Sequence, residues 1–328
     1  SSSSSSDGAN GVDVLLATSD HFGHGVFALV QRVLNQIHYA NSLDLVPAVF
    51  LGERTFMEPQ ACEYGPNPYH HAPSGDNVWE YWFTQPSNYS IGAATVNGVQ
   101  VRSVQMTTVE ASADAPVRAY GVDRVRRRSR HAANRMLGDG GSKLVKGWIR
   151  EMADNTFAPW RSRSDHIIGV HMRGTDKVMR PKVPPQAYYP FIDAYLKAHP
   201  DGLVFVATDD RRYANRLGGR YGWSTTGKGG DDNGGKLVGA GRGYADASWG
   251  GNADPAVRGH NGGGGMRKGV EVILDALLLS KCDYVLISAS GVAEFALWVS
   301  PHLWTHHLDL QAVDRFALQA LPAWSRYI

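Results

Sequence analysis

Cysteine is nearly absent from this chain: Cys62 and Cys282 are the only two among 328 residues. That excludes a disulfide framework, and Cys282, set in an apolar stretch, is expected to be a buried thiol. Long hydrophobic runs are missing too. None approaches the ~20 residues of a membrane span, so no bilayer crossing is expected within the chain. Charge of one sign is not in excess, since 33 Lys and Arg against 31 Asp and Glu leave a net +2. With no polybasic tail, whole-chain charge offers no reason to expect a nucleic-acid partner. No Gly-x-Gly-x-x-Gly follows the first apolar run, which argues against a dehydrogenase. His70-His71 and His306-His307 are adjacent pairs whose side chains do not face one ligand position, so a zinc hydrolase is disfavoured and no metal site is expected. Residues 1–10 open with six serines, a linker composition without a secretory signal. This start is read as the edge of a stem, so an anchor upstream of Ser1 stays open.

What is present describes a globular protein long enough for two domains of ordinary size, 43% hydrophobic and 20% charged. Residues 167–177 read Ile-Ile-Gly-Val-His-Met-Arg-Gly-Thr-Asp-Lys. An apolar run bounded by polar and glycine residues marks a strand buried on both faces, as in parallel sheets. In such sheets ligands bind outside the carboxyl ends of the strands. This strand would therefore deliver His171, Arg173, Asp176 and Lys177 to the working edge, where a guanidinium can grip a phosphate bidentately.

Upstream, 12–17 reads as a first buried strand and 26–40 as a helix, with apolar residues at Val26, Leu29, Val30, Val33, Leu34 and Ile37. Between them lies a turn with Gly23, His24 and Gly25. Strand, glycine turn, helix is the layout of an anion-facing corner. A second strand is expected at 44–51, irregular loops and short elements over 52–105, and helices between 117 and 152. The basic run Arg124, Arg126, Arg127, Arg128 and Arg130 is expected to be a solvated helix face. Downstream, strands at 166–172, 203–208 and 284–288 alternate with helices at 185–198, 211–220, 268–281 and 292–299. That order implies parallel pairing with right-handed crossovers. Residues 227–265, dense in Gly, Asp, Asn and Lys, are expected to be a surface insertion dispensable for folding. The economical architecture is α/β, two Rossmann-like domains facing a cleft. Its expected parts are 1–10 as linker, 11–164 as the N-terminal acceptor-side domain, 165–310 as the nucleotide-sugar domain, and 311–328 as a helical tail.

Three segments together resemble the fucosyltransferase superfamily of GT-B glycosyltransferases, the branch of α1,6-, nodulation and O-fucosyltransferase-like proteins. They are His171-Met172-Arg173-Gly174-Thr175-Asp176-Lys177; Ala207-Thr208-Asp209-Asp210; and the stretch from Gly269 to Ala296 with Leu274-Asp275, Leu278-Leu279-Ser280 and Ser290 leading into a helix. The resemblance implies inverting, metal-independent transfer of L-fucose from GDP-fucose to a glycan or glycoprotein, with no cofactor beyond that donor. It also implies a Golgi or secretory-lumen setting if the source is eukaryotic, where Asn88-Tyr89-Ser90 would be a glycosylation acceptor. In that reading Arg173 holds the leaving phosphate, Asp275 takes the guanine edge, and His171 and Asp209 line the site. Ser290 and Gly291 face the phosphates at a helix start, and Gly23, His24 and Gly25 close over them.

Departures from the pattern bear on the acceptor and the base. Gly174 stands where close α1,6 enzymes carry a second Arg, Met179-Arg180-Pro181 replaces an expected acid, and Glu294 stands where those enzymes have Arg. Asp176, Glu271 and Glu294 are the candidate bases, each with an alternative structural role in capping or in pairing with Arg173 or Lys177. The rival readings are a GT-B enzyme using another nucleotide sugar and a sugar- or nucleotide-binding relative without catalysis.

Overall fold

The structure is a computed structural model that describes residues 12–19, 25–53, 66–89, 101–107, 116–118, 123–174, 182–223, 235–239 and 264–312. Two parallel sheets organise it. The first has the order β2-β1-β3, from β1 (Val12–Ala17), β2 (Val46–Val49) and β3 (Val101–Thr107). The second has the order β6-β5-β4-β7-β8, from β4 (Ile167–Met172), β5 (Leu203–Thr208), β6 (Leu237–Val238), β7 (Tyr284–Ile287) and β8 (His307–Asp309). Every ladder is parallel. The helices are α1 (Val26–Ser42), α2 (Trp79–Trp82), α3 (Asp123–Leu137), α4 (Gly147–Arg161), α5 (Tyr189–Ala198), α6 (Arg211–Tyr221), α7 (Gly264–Ser280) and α8 (Gly291–Val299). The α/β class and the two parallel sheets agree with the sequence reading.

The second sheet grows outward from β4 in both directions, through β5 and β6 on one side and β7 and β8 on the other. The chain therefore reverses its winding between β4 and β7. That switch point opens a crevice at the carboxyl ends of adjacent strands, where open α/β sheets bind ligands. All six residues of β4 are buried, as a central strand covered by helices on both faces requires. Gly169 is needed there, since a Cβ would meet Leu279 Cδ2 at 2.9 Å and Cys282 Sγ at 3.0 Å. Cys282 is a buried free thiol, as its setting implied.

One apolar core runs from β1 and α1 through α4 to α7 and α8, while a second lies on the opposite face of β4, under α5. Phe27 of α1 stacks on Phe295 of α8 with ring centroids 4.5 Å apart, so the first sheet's helix is packed directly on the second unit. Burial of each such aromatic stabilises the joint by about 1.5–3 kcal/mol.

Three expectations need correction. The third strand of the first sheet, β3, begins inside the region read as irregular, because Val-Arg-Ser-Val-Gln-Met-Thr carries no continuous apolar run. The segment 227–265 is not all insertion. Leu237 and Val238 form an edge strand paired with β5 and are 0% and 1% exposed. Elements on the two sides of residue 164 pack together: Trp160 of α4 stacks on Phe205 of β5 at 5.3 Å, and α3 binds α8 through buried ions. Those ions overturn the third expectation: Arg126 and Arg130 of the basic run are 8% and 5% exposed, not solvated. Residues 224–234, 240–263 and 313–328, with most of the Gly-rich segment and the expected helical tail, lie outside the described residues.

Candidate active site

Three strand tips meet at the switch point. β4 ends in His171 and Met172, with Arg173 just beyond; β7 ends before Ser288; β5 ends before Asp209. His171 is 5% exposed, and its Nε2 lies 3.2 Å from Ser290 Oγ. Ser290 is the N-cap of α8, and its Oγ accepts from Ala293 N at 3.3 Å. A hydroxyl that accepts there still has its own hydrogen to give, so it can donate to Nε2 of a neutral imidazole protonated at Nδ1. The N-cap serine, the helix start and the histidine are thus one linked unit.

Arg173 is fixed from its backbone outward. Its N–H donates to Ser288 Oγ at 3.2 Å, and the following Gly174 N–H donates to Asp209 Oδ1 at 2.6 Å. The other oxygen, Asp209 Oδ2, stands 3.9 Å from Arg173 Nε. With its side chain about a quarter exposed, the guanidinium stays within reach of a ligand. The Tyr188 hydroxyl donates to the His171 carbonyl at 3.2 Å. Burial pushes that phenol far above its ordinary value, which keeps it a donor.

The two acids after β5 divide their work. Asp209 ties the β4 tip, whereas Asp210 caps α6, its Oδ1 accepting from Arg212 N at 2.8 Å. Hydrogen bonding to Arg212 holds the Asp210 carboxyl below its usual value. Gly174 reflects the same crowding, because a Cβ would lie 2.9 Å from Asp210 Oδ2. A second arginine at this position has no room, which gives that departure a steric cause.

A second helix start closes the crevice. Gly25 is the N-cap of α1 in extended backbone, without a side-chain cap. Two residues on, Phe27 packs against Gly291, where an added Cβ would lie 2.9 Å from Phe27 Cβ. The positive ends of α1 and α8 therefore converge, with Arg173 on the third side through the His171–Ser290 link. Gln36 fixes the exit of β1 toward this corner, since its side-chain amide exchanges two hydrogen bonds with the Thr18 backbone, at 2.9 and 2.8 Å.

Of the residues singled out from sequence, His171, Arg173, Asp209, Ser290 and Gly291 thus gather at the carboxyl tips of β4, β5 and β7, and Gly25 starts the helix whose Phe27 meets Gly291. Asp275 sits midway along α7, half-buried. Asp176, Lys177, Gly23 and His24 lie outside the described residues. Glu294 does not present a free carboxylate. It is 1% exposed, and Arg126 Nε donates to its Oε1 at 2.7 Å while Arg130 donates to both oxygens at 3.2 and 3.3 Å. Among the described residues its partners are these two and not Arg173, and a carboxylate so held by two guanidiniums is poorly placed as a base. Glu271 pairs with Arg267 along the helix surface. Ser288, Tyr188 and Gln36 were not anticipated; only the serine, two positions before Ser290, carried any local signal.

Fold and site together define an α/β protein with two parallel sheets, in which basic, acidic and hydroxyl side chains gather at the switch point of the second. No protein-family model matches the sequence, and no curated protein matches it. Among solved structures, the chain is similar to the NodZ α1,6-fucosyltransferase soaked with GDP-fucose, at 13% identity, 88% of this chain, 93% of that chain and TM-score 0.44. NodZ from Bradyrhizobium matches at 13% identity, 88% and 94% coverage and TM-score 0.44. A mutant of Arabidopsis thaliana FUT1 in complex with GDP matches at 10% identity, 88% and 69% coverage and TM-score 0.42.

Proposed function

We propose that the protein is an inverting glycosyltransferase that takes L-fucose from GDP-fucose without a divalent cation. The observation that carries this is the convergence of Arg173 with the N-termini of α1 and α8 on one crevice. Loss of a nucleoside diphosphate builds negative charge on its outer phosphate. Preorganised donors aimed at that position stabilise it most effectively where water is excluded. Arg173 offers two parallel donors, and the helix starts offer N–H groups with a positive dipole end. The sequence resemblance supplies the guanine contact at Asp275, whose carboxylate can accept from both the ring N–H and the exocyclic amine. Asp176 is the remaining candidate base, with Glu294 and Glu271 engaged elsewhere. We place the enzyme in the secretory lumen if its source is eukaryotic; glycosylation of Asn88 in a secretory host is the check.

Calorimetry with GDP, ADP and UDP tests the donor. GDP should bind most tightly, and Asp275→Asn should erode the preference; equal affinities would sink the guanine assignment. Transfer or donor hydrolysis should persist in EDTA, whereas Arg173→Lys should lose about 10²–10³ in rate because lysine cannot grip bidentately. Loss in chelator with recovery on Mn²⁺ would overturn the metal-free reading.

A further inference from the structure

While Arg126 and Arg130 turn inward, α3 carries a second set of basic residues on its outside. Arg124, Arg128, His131 and Arg135 are all exposed. Their spacings of four, three and four residues put them in one stripe along the helix, with exposed Arg127 beside it. From Arg124 to Arg135 the stripe spans ~16 Å. Among the described residues, none of these four arginines has an ion-pair partner. Lys143 extends the stripe, its Nζ donating to the Arg135 carbonyl at 2.8 Å. Exposed Asp139, in the turn after α3, is bonded to Asn134 at 3.1 Å.

Helix stability does not account for this arrangement. Cations are unfavourable in the first turns of a helix, where the macrodipole is positive, yet Arg124, Arg126, Arg127 and Arg128 crowd there. The inward pair is compensated by Glu294 and Asp309, but the outward set is not.

The stripe's direction is informative. Arg126 and Arg130 contact Glu294 in the first turn of α8, and Asn134 Nδ2 donates to the Trp298 carbonyl in its last. Hence α3 runs alongside α8 in the same direction. Arg126 also reaches Asp309, at the carboxyl end of β8. The Arg124 end therefore lies at the crevice edge of the sheet, and the stripe leads away from the site.

We propose that the outer face of α3 is a docking strip for an acidic polysaccharide, bearing sulfate or carboxylate groups, whose end is presented to the crevice as acceptor. The choice of a sugar polymer rests on the sugar-transfer reading. Guanidiniums spaced one per turn suit repeated anions, which each can bind bidentately. Exposed ion contacts are individually weak, so the strip holds only a partner that offers several charges at once.

The test uses the full chain, the variant Arg124→Gln/Arg128→Gln/Arg135→Gln and its triple Lys counterpart. Probes are a size-defined sulfated oligosaccharide, an oligogalacturonate, a neutral oligosaccharide and single-stranded DNA of equal charge. Both acidic sugars should bind in a salt-dependent manner. The Gln variant should bind them about tenfold more weakly, and the Lys variant should recover most of that loss. Affinity for GDP should be unchanged in both, because none of the three residues belongs to the crevice. Equal binding by wild type and Gln variant, or equal binding of the neutral sugar, would overturn the proposal. Tighter binding of the DNA would reassign the strip to nucleic acid. Failure of GDP to bind any form would count against the sugar-transfer reading instead, leaving the acidic-sugar result to decide the strip.

Discussion

At the scale of single residues, the site depends on what holds Arg173 as much as on Arg173 itself. Asp209 takes the Gly174 amide and faces the guanidinium, so Asp209→Asn keeps the shape while removing the charge that orients it. The expected result is a fall in kcat with little change in GDP affinity or melting temperature, checked by steady-state kinetics beside calorimetry. Gly174 is a packing requirement of the same corner. Gly174→Ala would press on Asp210, the cap of α6, and should cost about 1–3 kcal/mol in denaturant unfolding.

At the scale of elements, the joint between α3 and α8 is an ionic cluster in a dry setting. Glu294 is held by Arg126 and Arg130, and Arg126 also pairs with Asp309 at 2.9 Å. Burial lowers the Arg126 pKa, but the Glu294 and Asp309 carboxylates together outweigh it and raise the pKa above its ordinary value. Breaking a buried pair by removing one partner leaves an uncompensated charge, which commonly costs 3–5 kcal/mol. Glu294→Gln should therefore destabilise by that order, measured by urea unfolding, through α8 and not through chemistry. The edge strand β6 is a second element-scale case. Leu237→Ala removes a fully buried side chain and should cost about 2–5 kcal/mol. Replacing 240–263 with a short Gly-Ser linker should leave the melting temperature nearly unchanged, since doubling a loop changes closure entropy by only ~0.6 kcal/mol. A melting-temperature series over both variants separates the strand from the rest of the segment.

At the scale of the whole molecule, pH reports on the same ionic cluster. His307 Nδ1 lies 2.7 Å from the Leu303 carbonyl, and its Nε2 faces Arg130 NH1 at 3.3 Å. Burial first, and the Arg130 guanidinium second, hold this imidazole below its ordinary value, with Arg126 adding to the effect; the Leu303 carbonyl and Glu294 oppose it. The unfolded chain takes up the proton first as pH falls through about 6.5, so the contribution is present above that value and lost below it. A single site adds at most about 1.4 kcal/mol per pH unit. Thermal melts from pH 7.5 to 5 should show the decline, and His307→Gln should flatten it relative to the parent chain. No helix among the described residues is long and apolar enough to cross a membrane.

The sequence by itself determined the strands and helices whose apolar period was continuous: β1, α1, β4, β5, α7, β7 and α8, with Arg173 at a strand tip and Ser290 at a helix start. Those are local properties, written in spacing and in the bounding glycines and polar residues. It did not reveal β3, β6 or β8, because strands without a continuous apolar run resemble loops until a neighbour supplies the ladder. Nor did it divide the arginines of α3 into an inner and an outer set. That division needs Glu294, more than 160 positions away, and only packing brings the two together. The convergence of the α1 and α8 starts was likewise decided by tertiary structure. Each is legible as a separate turn, but the Phe27–Gly291 contact that sets them side by side is long-range, and sequence spacing carries no record of it.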